Sequence, residues 1–119
     1  DKLVLGNRDA RRDWGWAPDY VEAMVRAIEH DRSDDFVVAT GVAHSVGDFV
    51  AAAFAGAGIR DWESLVETDP ALVRPTDPAV LLGDASKARQ ELGWTPTVGF
   101  EELVARMVAH DLGHLTTPD

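Results

Sequence analysis

Two arginines in this chain stand beside acidic residues, each just ahead of a helix-like stretch. Arg12 lies in Arg11-Arg12-Asp13-Trp14-Gly15, followed by Asp19-Tyr20-Val21-Glu22-Ala23. Arg74 lies in Arg74-Pro75-Thr76-Asp77, followed by Gly83-Asp84-Ala85-Ser86-Lys87-Ala88-Arg89. A guanidinium presents a planar fork of donors that matches a phosphate bidentately, and a short carboxylate suits a pair of sugar hydroxyls. Brought together, the two clusters could grip one ligand that carries both groups, a nucleotide sugar. Pro75 disfavours the helical region for Arg74 and stiffens its loop. Each residue also has a plainer reading. Arg12 could be a loop arginine paired with Asp13 or Asp9, and Arg74 a surface salt bridge of small energy. Asp77 could be a turn residue bonded to its own backbone. Asn7, after Gly6, either accepts a left-handed turn or lines a base pocket. Arg8, Arg11 and Lys2 read as solvated charge.

Other candidates are weaker. His110-Asp111-x-x-His114 has the spacing of a helical zinc motif, but Gly113 sits inside it and no third ligand accompanies it. No metal site is expected. Trp14, Trp16, Trp62 and Trp94 are expected to pack, and His44 to hydrogen-bond locally. The abundant carboxylates suggest no specific acid–base pair.

The elements that position these residues follow from the pattern. Lys2–Leu5 reads as a strand ending in a Gly6-Asn7 turn, and residues 8–16 as a charged loop. Pro18 suits a first helical turn. Val21, Met24, Val25 and Ile28 recur at helical spacing, predicting a helix to about His30. Phe36–Ala39 reads as a short apolar strand. Ser45 with Asp48 three residues on is a capping-box variant, opening a helix that Gly58 ends. Leu65–Thr68 and Val80–Leu82 read as strands. Asp84 caps a helix ending near Gly93. Val98 and Leu103 are placed as a hydrophobic staple around Gly99, with Glu102 at the third position of the last helix. A frayed tail is expected from Gly113. The fold class is therefore α+β, about four helices with a few short strands, in one domain over residues 1–119.

Composition narrows the function classes. No cysteine is present, which excludes disulfides and thiolate metal sites. A net charge of −10 argues against nucleic acid or anionic membranes as partners. It also makes the local arginines more telling, because they must act against an unfavourable overall field. No apolar run is long enough to span a bilayer. A cytoplasmic protein is expected.

Along nearly the whole chain the residues resemble the C-terminal part of the extended short-chain dehydrogenases that act on nucleotide sugars, and among these the GDP-mannose 4,6-dehydratase family. Leu5-Gly6-Asn7, Arg12-Asp13-Trp14-Gly15, Asp19–Met24, Thr40-Gly41 with His44-Ser45-Val46, Arg74-Pro75 and Phe100–Val104 carry the resemblance. The Arg-Asp-aromatic and Arg-Pro signals are common to many nucleotide-sugar epimerases. The Trp14-Gly15 continuation and Thr40-Gly41-x-x-His44-Ser45-Val46 narrow it. Asp77 stands where the family usually carries glutamate, and Pro78-Ala79 replaces a Val-Asp pair.

The resemblance implies substrate binding by Arg12, Arg74, Asp77 and Asn7. Arg12 would meet the diphosphate and Asp77 a ribose hydroxyl. It also implies an NADP-dependent oxidation, dehydration and reduction that converts GDP-mannose to GDP-4-keto-6-deoxymannose, in a homo-oligomer. The family's Gly-rich dinucleotide turn does not occur in the sequence. Neither does its Tyr-x-x-x-Lys pair, since Met24 stands four residues after Tyr20, the single tyrosine. The chain is thus expected to be a substrate-binding part, inactive by itself, with the Rossmann domain, the NADP and the catalytic residues in an N-terminal part outside it. Two alternatives stay open, the corresponding part of a UDP-sugar epimerase and a stand-alone non-catalytic domain of the same fold.

Overall fold

The computed structural model describes residues 2–115. β1 (Leu3–Leu5) runs parallel to β4 (Val66–Thr68), with Leu3 opposite Val66. The amide of Asp69 then donates to the Leu5 carbonyl at 2.8 Å. A second sheet has β2 (Arg11–Arg12) at its centre, antiparallel to β3 (His44–Ser45) and parallel to β5 (Val80–Leu81). Arg11 faces Val80 and Arg12 faces Leu81. The loop expected over residues 8–16 therefore contains a strand. Two residues are too few to show a period of two, so sequence patterning has nothing to read there.

Four helices complete the chain. α1 spans Ala17–Ile28, α2 Val46–Gly56, α3 Ser86–Leu92 and α4 Phe100–Leu115. The capping box at α2 forms on both sides: Ser45 Oγ accepts from the Asp48 amide at 2.9 Å, and Asp48 Oδ2 accepts from the Ser45 amide at 2.8 Å. Gly58, at φ +76°, follows its end, and Gly93, at φ +61°, closes α3. Asp84 Oδ1 accepts from the Ser86 amide at 2.9 Å, but the N-cap position of α3 is Ala85, with no side-chain cap bond, so Asp84 makes a turn just ahead of the helix and does not cap it as expected. Val98 and Leu103, the staple positions of α4, are both buried. Glu102 turns instead to Arg106 one turn on, so no capping box forms there. α4 is helical through Leu115, which corrects the fraying expected from Gly113; residues 116–119 of that tail lie outside the described residues.

One further expectation is corrected. Phe36–Ala39 forms no strand, although Ala39 is buried and Phe36 and Val38 pack against the core. α1 buries Asp19 and Ala23, while Val21, Met24, Val25 and Ile28 are exposed, Ile28 at 84%. The core is made of small residues around one large one: Ala23, Ala39, Ala85 and Ala88 surround Trp94, which is 1% exposed. Small side chains let α1 and α3 approach closely on that side, which leaves the bulkier stripe of α1 facing out. Among the described residues, no helix is long and apolar enough to cross a membrane.

Candidate functional site

The β2–β5 pairing brings the two arginine clusters together across 65 residues of chain. Arg12 Nη2 donates to Asp77 Oδ1 at 2.6 Å, and Arg12 Nη1 donates to the carbonyls of Pro78 at 3.0 Å and Arg11 at 2.7 Å. The partner of Arg12 is thus Asp77, not Asp13 or Asp9. Arg11 donates to the Ala43 carbonyl at 2.7 Å and takes no part in this pair.

Beside the Arg12–Asp77 pair lies an open cleft of about 310 Å³. Asn7, Arg12, Arg74 and Asp77 all line it, with Leu5 and Leu72 on its apolar side. All four residues that the sequence singled out for substrate binding therefore share one cleft. β1 delivers Asn7, β2 delivers Arg12, and the loop before β5 delivers Arg74 and Asp77. The Asn7 side chain accepts from the Asp9 amide at 2.9 Å, and no non-glycine residue among those described takes a positive φ. Asn7 is therefore an Asx turn and not a left-handed one. The Arg74 guanidinium is exposed and makes no hydrogen bond or ion pair among the described residues, while its carbonyl accepts from the Asp77 amide at 3.1 Å. The cleft thus presents two cations and one carboxylate, a local positive excess on a chain of net charge −10. A phosphate-bearing ligand fits that arrangement, with polar amide and carboxylate groups beside it for hydroxyls.

Two other hollows have larger volumes. Arg12 also borders a shallow surface of about 370 Å³ with Asp13, Ala39 and Gly83. A third hollow, about 390 Å³, is lined by Trp14, His44 and Phe100. It contains none of the four candidate residues and no arginine or lysine, and its rings pack on one another. His44 stacks on Phe100 at 3.8 Å, where local hydrogen bonding was expected. Its larger volume does not outweigh the lack of cations.

Asp13 carries a role that the sequence reading did not assign. Its Oδ1 accepts from the Thr40 amide at 2.9 Å and from the Thr40 hydroxyl, and Oδ2 accepts from the Gly41 amide at 2.8 Å. Burial opposes its charge, but these bonds outweigh it and hold the carboxyl below its ordinary range. Asp13 therefore ties the segment before β3 to the end of β2. The signal was present, an acceptor-only side chain in one motif and the donors of Thr40-Gly41 in another, but nothing in the sequence linked the two. Gly41, at φ +82°, holds a backbone that a side chain would strain.

A sequence profile described as GDP-mannose 4,6 dehydratase matches residues 1–107. GDP-mannose 4,6 dehydratase 1 of Arabidopsis thaliana is 50% identical over 111 residues, which cover 93% of this chain and 30% of that protein. GDP-mannose 4,6 dehydratase of Homo sapiens is 43% identical over 129 residues, covering 95% of this chain and 35% of that protein. The chain thus spans about a third of the length of the curated relatives it matches. In fold it matches a solved epimerase from Burkholderia cenocepacia, described there as putative, at TM-score 0.80 and 29% identity, over 92% of this chain and 35% of that one. It also matches UDP-glucose 4-epimerase of Thermotoga maritima with UDP-glucose, at TM-score 0.82 and 24% identity, over 97% and 36%.

Proposed function

The chain belongs to the GDP-mannose 4,6 dehydratase family, and from that premise we propose that it forms the substrate-binding part of such a dehydratase, with GDP-mannose as its ligand. The observation that carries this reading is the convergence of Asn7, Arg12, Arg74 and Asp77 on one cleft. Arg12 and Arg74 meet the diphosphate, and Asn7 and Asp77 offer polar groups to the nucleoside. The chain contributes binding and orientation. Proton and hydride transfer fall to residues outside it, where NADP would also be held, in a cytoplasmic homo-oligomer.

A nicotinamide dinucleotide does not fit the residues of this chain. Such a group needs a strand, a Gly-rich turn and a helix whose N-terminus faces the pyrophosphate. β1 runs into Gly6, but the next helix starts at Ala17. The glycines with positive φ lie before β3 and after α2 and α3, at none of the required places.

A chimera tests the proposal. The matching third of the plant relative is replaced by this chain, and turnover of GDP-mannose is measured alongside turnover of UDP-glucose. Turnover of GDP-mannose is expected. Arg12→Ala and Arg74→Ala in the chimera should each raise KM for GDP-mannose by a factor equivalent to about 2–4 kcal/mol, the range for truncating one member of a charged contact. Arg→Lys should rescue only in part, because lysine keeps the charge and loses the fork. A folded chimera that turns over UDP-glucose alone, or whose KM ignores both arginines, would overturn the reading.

A further inference from the structure

Not every donor of Arg12 is free to meet a ligand, and the way they are taken decides which remain. A guanidinium has five N–H groups. Nη1 uses both of its hydrogens on the carbonyls of Arg11 and Pro78, and Nη2 uses one on Asp77 Oδ1. Nε–H and one hydrogen of Nη2 are left. Asp77 and Pro78 are chain neighbours, one on Nη2 and one on Nη1, and two adjacent acceptors on the two terminal nitrogens suit the end of the fork, where one hydrogen of each points outward side by side. The two remaining donors then lie along its side, parallel to each other, in the arrangement that two oxygens of one phosphate accept. The side chains of the pair are 22% and 36% exposed, so the contact is sheltered but borders solvent. Arg74 has no such partner and hangs free at the same cleft.

We propose that Asp77 is a positioning residue for diphosphate binding: it acts through Arg12, holding the guanidinium so that its free edge faces the cleft, beside any bond that its other oxygen offers the nucleoside. The inference rests on the reading of the cleft as a nucleotide-sugar site and assigns the division of labour within it. Arg12 is the preorganised phosphate fork, Arg74 the mobile second cation, and Asp77 the residue that makes the two arginines unequal.

Two opposing effects decide what removing the carboxylate does. Asp77 cancels one positive charge, and for a pair at the solvent boundary that lowers anion affinity about two- to fivefold. It also immobilises a long side chain before the ligand arrives, which raises affinity about two- to twelvefold. The backbone contacts hold Nη1 alone, and Asp77 is the partner of Nη2, the nitrogen that carries one of the two remaining donors, so the second effect outweighs the first. Asp77→Asn should therefore weaken anion binding even though it makes the cleft more positive.

Inorganic pyrophosphate is the discriminating probe, because it has no ribose. Its affinity for the 119-residue chain is measured by NMR titration for the wild type, Asp77→Asn, Asp77→Glu, Arg12→Ala and the Arg12→Ala/Asp77→Asn double variant. The expected result is about threefold weaker binding for Asp77→Asn. Asp77→Glu should recover part of it, and the double variant should be no weaker than Arg12→Ala alone, the non-additivity of residues that act as a unit. Unchanged or tighter pyrophosphate binding by Asp77→Asn would overturn the proposal, since a hydroxyl ligand or a merely repulsive charge predicts that. The guanidinium resonances of Arg12 give a ligand-independent reading. Separate Nη1 and Nη2 signals in the wild type that merge in Asp77→Asn support the positioning role, and identical spectra refute it. If wild-type chain takes up no pyrophosphate at all, the functional reading of the cleft falls, and the guanidinium spectra alone decide what Asp77 does.

Discussion

Asp19 shows how much one side chain can organise. It is 7% exposed and accepts from the Thr97 amide at 2.8 Å, the Thr97 hydroxyl at 2.6 Å and the Val98 amide at 3.3 Å. Its own carbonyl accepts from Trp94 Nε1 at 2.7 Å. α1, Trp94 and the approach to α4 thus meet at one residue. Burial opposes its charge, yet the bonds from Thr97 and Val98, with the Arg106 cation nearby, hold the carboxyl below its ordinary range. A depressed carboxyl contributes stability that is fully present above its unfolded pKa of about 3.9 and is lost as pH falls through the lower folded value. Asp19→Ala should lower stability at neutral pH by about 1–3 kcal/mol, because buried donors lose their acceptor. Asp19→Asn should fall between the two and flatten the acid limb of the stability curve below about pH 4. Urea titrations across pH check both, and an acid limb identical in Asp19→Asn and the wild type would sink the assignment. At this scale the candidate site was largely legible, because Arg12, Arg74, Asp77 and Asn7 declare their chemistry by type. The Arg12–Asp77 bond was not, since it depends on a two-residue strand pairing that leaves no periodic trace.

The helices were legible where a side chain does local work and misread where a neighbour decides. Ser45 and Asp48 satisfy each other's backbone within one turn, so the sequence alone locates the start of α2. Ser45→Ala should cost about 1 kcal/mol in a thermal or urea melt and leave the arginine cleft unaltered. The stripe Val21, Met24, Val25 and Ile28 identifies α1 as a helix, but period alone does not say which face the rest of the chain covers. The apolar run Phe36–Ala39 suggested a strand, and instead it lies as irregular chain on the alanine core. Gly83 explains part of that: a Cβ there would come within 2.3 Å of the Ala39 Cβ, so the segment after β5 and the segment before β3 pass nearly in backbone contact. Gly83→Ala should destabilise by about 1–3 kcal/mol through overpacking. A melting temperature unchanged from wild type would mean that the two segments separate without penalty.

The whole molecule is open. Its radius of gyration is 17.3 Å over extents of 53 × 41 × 24 Å, against about 13–14 Å for a well-rounded chain of this length. Both residues of β5 and the outer stripe of α1 are exposed. Such apolar surface favours association. The chain at high micromolar concentration should self-associate in sedimentation velocity, and Met24→Lys with Ile28→Lys should shift it toward monomer without lowering the melting temperature. A wild-type chain that stays monomeric would count against α1 as the adhesive face. The pairing of β2 with β5 also has a consequence in time. Arg12 is synthesised 65 residues before Asp77. At about 5–20 residues per second the carboxylate follows the arginine by about 3 to 13 s. On the ribosome, Arg12 spends that interval with Asp9 and Asp13 as its nearest carboxylates in sequence, and its ion pair with Asp77 forms only once the loop before β5 has been made.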